Sequence, residues 1–272
     1  MSVANLGRLG AGLGYRREIK RATLEAHAQI DFLEIIAEQF FYSEAAAEEL
    51  AELRESFHLV PHGLGLSVGS AAAPSPRYLR AIQWLCEKSD APYYSEHLAV
   101  TRVPGIDLGH LSPVVYSRQM LEVVATNVER VQQLIGRPLV LENITYDLAL
   151  PGSDLSQPEF FCELTRRTGC GVLLDLANLH INSVNHGFDA DAFLRAMPLE
   201  HIVQVHLAGG SRRGARLVDS HSEPVGEGVW ALLERLVSLA PLRAAIVERD
   251  ANMPALSELL EEVALARRLM AA

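Results

Sequence analysis

Short apolar runs alternate with longer amphipathic stretches along the whole chain. The short runs, at residues 12–15, 31–37, 58–63, 93–98, 139–144, 171–176, 202–207 and 244–248, are rich in Val, Ile and Leu and read as buried strands. The stretches at 45–56, 77–88, 117–135, 157–168, 189–197, 226–239 and 255–270 read as helices; the third places Met120, Val123, Val124, Val128, Val131 and Leu134 on one face. Ser43, the Ser156-Gln-Pro-Glu159 capping box and Asp189 supply helix starts. Strands separated by helices need crossover connections, so the pattern predicts an α/β fold: a parallel (β/α)8 TIM barrel. The Gly and Pro clusters sit at the joints and none forms a linker, so residues 1–272 are expected to form a single domain. An open, doubly wound sheet is the alternative. The glycine signal it would carry is weak here, because Gly10-Ala-Gly12-Leu-Gly14 lies within or before the first strand.

Composition narrows the class. Apolar residues make up 49% of the chain, enough for a sizeable core. A formal charge of −10 argues against nucleic acid or an anionic membrane as partner. Cys86, Cys162 and Cys170 show no paired spacing, which points to a reducing, cytoplasmic compartment. No signal peptide is evident, and the apolar stretch at 229–247 is interrupted by Glu234, Arg235, Pro241 and Arg243.

The chemistry gathers at one end of the strands. The apolar part comes first and a His, Glu or Asp comes last: His62, Glu96-His97, Glu142-Asn143, Asp175 followed by Asn178, His206 and Glu248. In a parallel barrel those carboxyl ends share one face, where active sites lie. One strand-end carboxylate is commonly a helix cap and one histidine a hydrogen-bonded core residue. Several carboxylates converging without cations would repel, and burying one unpaired costs several kcal/mol. The strand ends supply no Lys or Arg except Arg249, whose parity turns it away from Glu248's side, so divalent metal is the expected neutraliser. Asp219-Ser-His221, read as an extended loop, adds a pair projecting the same way. The set exceeds one ion's needs and implies more than one, with Glu142, Asp175 or Glu248 able to bridge. No catalytic group beyond the metal centre stands out. His110, His180 and His186, expected in loops on the same face, and Glu38 are pocket candidates, with Glu34 beside Glu38 on one side of the second strand.

These residues sit in segments that resemble a known family: Gly12-Leu-Gly-Tyr-Arg16, Pro61-His62-Gly63, Ser95-Glu96-His97-Leu98, Leu141-Glu142-Asn143, Leu173-Leu-Asp175 with Asn178, Val205-His206-Leu-Ala-Gly209, Asp219-Ser-His221 and Val247-Glu248. The chain resembles the multinuclear non-haem iron-dependent oxidative enzymes, peptide-modifying proteins of the methanobactin and 3-thiaglutamate biosynthesis type. The resemblance implies a xylose isomerase-like barrel with two or three irons, as Fe(II)/Fe(III), and dioxygen as co-substrate. It places His62, His97, Glu142, Asp175, Asn178, His206, Asp219, His221 and Glu248 on the metal-binding positions. It further implies a precursor peptide as substrate, modified most often at cysteine, and a small partner protein that binds the peptide's leader. Glu96, Ala177, His180 and Arg249 depart from the residues usual at their positions, which leaves the substrate open.

Two rivals share the sequence signals. One is a zinc- or manganese-dependent hydrolase or sugar isomerase of the endonuclease IV and xylose isomerase barrel type. A nuclease would show a basic strip, which this acidic chain lacks, and a sugar isomerase often carries a catalytic Lys that no strand end supplies. The other is a scaffold with a vestigial site.

Overall fold

In a computed structural model, which describes residues 3–271, a closed barrel of eight parallel strands forms. Its strands are β1 (Gly10–Gly14), β2 (Phe32–Ile36), β3 (His58–Gly63), β4 (Tyr94–His97), β7 (Leu139–Glu142), β8 (Gly171–Asp175), β9 (Ile202–Arg213) and β11 (Ala244–Glu248). They pair in that order, and β11 returns to β1 to close the ring. Helices α2 (Glu44–Ser56), α3 (Pro76–Ser89), α4 (Arg118–Ile135), α5 (Gln157–Thr168) and α8 (Glu227–Leu239) supply crossovers, short α1 (Lys20–Glu25) follows β1, and α9 (Leu256–Ala271) follows the last strand. The expected capping box at Ser156 and Glu159 is present, with Pro158 in the first turn. Among the described residues no helix is long and apolar enough to cross a membrane.

Three elements depart from the sequence pattern. A hairpin of β5 (Ala99–Val103) and β6 (Ile106–Pro113) is inserted after the fourth barrel strand. The seventh strand runs on past the barrel and folds back as β10 (Arg216–Glu223), so Asp219 and His221 lie on a strand with an irregular register rather than in a loop. Finally, α6 (Leu176–His186) starts directly at the end of β8, and α7 (Ala190–Ala196) follows it. His180 and His186 therefore lie on a helix, not in loops.

Alternation along the strands sorts the two faces. Outward residues such as Leu33, Leu59, Leu141, Leu174, Val205 and Val247 pack into the large core beneath the helices. Inward residues fill the barrel in layers. Phe32, Val60, Tyr93, Val140, Leu173, Ala244 and Ile246 form a dry inner cluster. Two residues further along the same strands come Glu34, His62, Ser95, Glu142, Asp175 and Glu248, all buried. A period of two thus converts apolar floor to polar site within one step of each strand. Glycine at Gly12 is required, since a Cβ there would collide with the backbone oxygen of Phe32.

Candidate metal centre

The strand ends from β2 onward bring polar side chains to the bowl. His62 Nε2 and His97 Nε2 lie 3.3 and 3.4 Å from Glu142 Oε2. The other carboxylate oxygen of Glu142 is 3.4 Å from His206 Nδ1, which is also 3.1 Å from Glu248 Oε2. From β10, His221 Nε2 comes within 2.8 Å of Asp219 Oδ1, and His221 Nδ1 lies 3.6 Å from Glu248 Oε2. Among the described residues four overlapping sets have donor atoms close enough to share an ion: Glu34, His62 and His206; His62, His97 and Glu142; Glu142, Asp175 and His206; Asp175, His221 and Glu248. Glu142 and Asp175 each belong to two sets, the arrangement that bridging carboxylates require.

Whether the residues suit metal is tested by their unpaired atoms. Glu142 Oε2, Asp175 Oδ2, Asn178 Oδ1, His206 Nδ1, Asp219 Oδ1 and His221 Nε2 are buried and lack a hydrogen-bond partner. A buried polar atom left unpaired costs about 1–3 kcal/mol, so six around one bowl point to an absent counterpart. Meanwhile the far nitrogen of each imidazole is tethered. His62 Nδ1 lies 3.0 Å from Ser95 Oγ, whose hydroxyl donates to Pro61 O. His97 Nδ1 donates to Gly63 O at 3.1 Å, and His221 Nδ1 to Asp250 Oδ2 at 3.0 Å. Histidines that bind metal are oriented in this way, with one ring nitrogen held and the other's lone pair presented. The donor set therefore fits divalent metal.

Charge says the same. With only protons to balance the carboxylates, the His97 imidazole rises to about 9: burial opposes its charge, but Glu142 and Glu96 outweigh it. His221 rises to about 12 despite its burial, through Asp219, Asp250 and Glu248. Burial works against the Glu142 carboxylate as well, yet His97 and His206 hold it down at about 2. Asp175 is pushed well above the usual range by burial and by Glu142 and Asp219.

One expectation needs correction. Arg16, just past β1, does reach the bowl: its guanidinium is ion-paired to Asp250 and stands 3.8 Å from Glu248 Oε1. Gly14 leaves space for it, since a Cβ there would come within 3.2 Å of Arg16 Nη1. A single guanidinium still leaves most of the surrounding carboxylates, from Glu34 to Asp250, without a fixed counterion. Arg249 is turned away as expected, 3.9 Å from Glu262 on α9.

The pocket candidates separate. Glu38 Oε1 accepts from the backbone N–H groups of Leu64 and Gly65, bracing the turn after His62. His110 is on exposed β6, bonded to Leu108 O. His180 does not join the bowl; its ring lies against Gly228 of α8, where an added Cβ would come within 2.4 Å of it. His186 stacks on Tyr146 at 4.3 Å and bonds its carbonyl, so it backs the pocket wall. Above these donor residues is a cavity of ≈ 350 Å³. It adjoins a groove of ≈ 610 Å³ between the β5–β6 and β9–β10 hairpins, and Leu111, Thr145 and Asp219 line both.

A profile of the family described as RiPP precursor modification enzyme MbnB/TglH/ChrH matches residues 10–271. The chain belongs to that family. A relative in Caulobacter vibrioides, named UPF0276 protein, is 36% identical over 265 residues, covering 97% of this chain and 95% of the relative. Among solved structures, L-ribulose 3-epimerase aligns at TM-score 0.58 and 14% identity over 98% of this chain and 93% of that one. A xylose isomerase domain protein from Planctomyces limnophilus aligns at 0.57 and 14%, over 96% of each. At such identity the likeness establishes the fold, a xylose isomerase-like barrel, and nothing more. Sequence reasoning missed Arg16 and the tethering groups Ser95 and Asp250. Their signal was position alone, one strand away or two residues past a ligand candidate.

Proposed function

We propose that the chain is a multinuclear non-haem iron-dependent oxidase or oxygenase that uses dioxygen to modify a residue, most often cysteine, of a ribosomally synthesised precursor peptide. The observation that carries the proposal is the set of four imidazoles and bridging carboxylates whose free donor atoms converge while their outer atoms are tethered. His62, His97, Glu142, Asp175, Asn178, His206, Asp219, His221 and Glu248 would hold two or three irons. Imidazole, carboxylate and amide oxygen donors suit Fe(II). Bound iron would supply one-electron chemistry and a site for dioxygen. The protein's own contribution is to hold the donors rigid, to balance charge through Arg16, and to line the approach with Ile36, Leu64, Leu111 and Ile144, which keep water from the bound residue. The groove between the hairpins is open enough for an extended peptide, and a small leader-binding protein would deliver that peptide. The same barrel carrying zinc or manganese for hydrolysis or sugar isomerisation is the competing reading.

The test is incubation of iron-loaded protein with a Cys-containing precursor peptide, a leader-binding partner protein and air. Dioxygen uptake and a mass change on the peptide, both lost in His206→Ala, are the expected result. An unchanged peptide with zinc as the only metal held would overturn the proposal.

A further inference from the structure

The loop after β7, residues 143–156, is pinned at both ends and turns apolar side chains outward between them. At its start Tyr146 N donates to Asn182 Oδ1 at 3.2 Å, and the Tyr146 ring stacks on His186. At its end Asp154 N and Leu155 N donate to Tyr116 O, and Asp154 Oδ1 accepts from Arg118 N at 2.9 Å. Between these anchors Leu148 is 77% exposed and Leu150 37%. Leucines held out in solvent by a braced loop add nothing to the core, and an apolar patch beside a cavity marks recognition. Such a cavity is present. It measures ≈ 490 Å³ and is walled by Tyr116, Tyr146, Phe188 and Phe193, with Leu155 and Ala192. Polar groups at its edge are already engaged: Asp189 caps α7 by accepting from Asp191 N and Ala192 N, and Ser156 Oγ donates to Glu159.

We infer that this cavity is a specificity subsite for an aromatic side chain of the precursor peptide, a few residues from the one modified; the inference rests on the peptide reading above, whichever metal is held. The argument is one of continuity and fit. Pro113, Tyr146, Leu148 and Leu150 line both the aromatic cavity and the hairpin groove. The groove in turn shares Leu111, Thr145 and Asp219 with the cavity over the donor residues. A chain that lies in the groove with one residue over the donors therefore passes the aromatic cavity's mouth. At ≈ 610 Å³ the groove is on the order of 8 Å across, which an extended chain covers in about two or three residues. A charged side chain entering the cavity would be desolvated with no Lys or Arg in the described lining to meet it. A small one would leave the rings uncovered. An aromatic ring meets four others and buries the two exposed leucines at the rim. The donor residues recognise only the reacting group, so this cavity decides which residue of the peptide is set over them.

The experiment uses metal-loaded protein kept free of dioxygen and short Gly/Ser peptides that carry one cysteine. Each peptide also carries one benzoylphenylalanine, a photo-crosslinking aromatic residue, at a different spacing from the cysteine on either side. Mass spectrometry after irradiation locates the crosslinks. The expected result is crosslinking to residues 146–158 and 188–193, strongest at one spacing. At that spacing a phenylalanine peptide should bind about tenfold tighter than the same peptide with serine there. Ala192→Trp, at an exposed position of α7 that lines the cavity, should abolish the phenylalanine preference. Metal content and affinity for the serine peptide should stay unchanged in that variant. Equal binding with and without phenylalanine at every spacing, crosslinks that fall elsewhere, or a preference that survives Ala192→Trp would overturn the inference and leave the peptide reading standing. Crosslinks lost on adding a leader-binding partner protein would assign the cavity to that partner, and overturn it too. If no cysteine peptide binds at any spacing, the peptide reading itself fails and takes this inference with it.

Discussion

At Asp175 a single side chain fills both roles that a strand-end carboxylate allows. Its Oδ1 caps α6 by accepting from the Asn178 N–H at 2.6 Å, while the buried Oδ2 has no hydrogen-bond partner among the clustered donors. Asparagine caps a helix as well as aspartate does, so Asp175→Asn separates the roles. The metal-free variant should melt no lower than wild type, because a repelled charge has gone, yet metal content should fall by at least one ion per chain. Unchanged metal content would show that the residue serves the helix alone. Protons compete with metal at the same atoms. His97, raised to about 9, and His221, raised to about 12, are charged in the metal-free chain at neutral pH and must lose that proton to bind. Zinc should therefore bind more tightly at pH 8 than at pH 6.5 and release protons, which calorimetry in buffers of different ionisation enthalpy would detect. The linkage for stability has the opposite sign. A raised imidazole stabilises the metal-free fold fully below its ordinary value of 6.5, and that contribution is lost as pH rises through about 9. Melting temperature without metal should fall over that interval.

The strands show how far the pattern could be read. Short apolar runs located every barrel strand, and the polar residues that end the third to eighth brought the strand-end ligand candidates into one bowl. Asp219 and His221 also meet, but not by simple alternation: His221 has φ 45° in an irregular stretch of β10, held by Asp250 N donating to its carbonyl. Helix α6 was illegible because Asn178, Asn182, Ser183 and Asn185 are poor helix formers. Those asparagines serve neighbouring backbone instead. Asn182 bonds Ile144 O and Tyr146 N, and Asn185 bonds both Leu217 N and Leu217 O. Tertiary contacts thus outweigh local propensity, and they tie the pocket wall to the β10 hairpin. The hairpins were likewise hidden, since their exposed strands lack a strong apolar face. Leu111 of β6 stands where cavity and groove meet, so Leu111→Trp should raise KM for the peptide several-fold with metal content unchanged. An unaltered KM would show that substrate enters elsewhere.

Seen whole, the molecule is a dry barrel floor, a ring of donors above it, and a groove between two hairpins at the mouth. The order follows from strand direction. Parallel strands all turn their carboxyl ends one way, so a residue type placed last in each strand is gathered without any local motif. That gathering was legible from sequence. The tethers were not, because Ser95 and Asp250 acquire meaning only from which neighbour they face. Membership of the MbnB/TglH/ChrH family and the xylose isomerase-like barrel agree with this layout. The central claim is that the gathered donors hold several ions through shared carboxylates. Metal analysis of protein purified without oxygen tests it most directly, beside Glu142→Ala. Two or three irons per folded chain, falling to one or none in Glu142→Ala, is the result the account predicts; no more than one ion in the wild type, or a full complement in the variant, would contradict it.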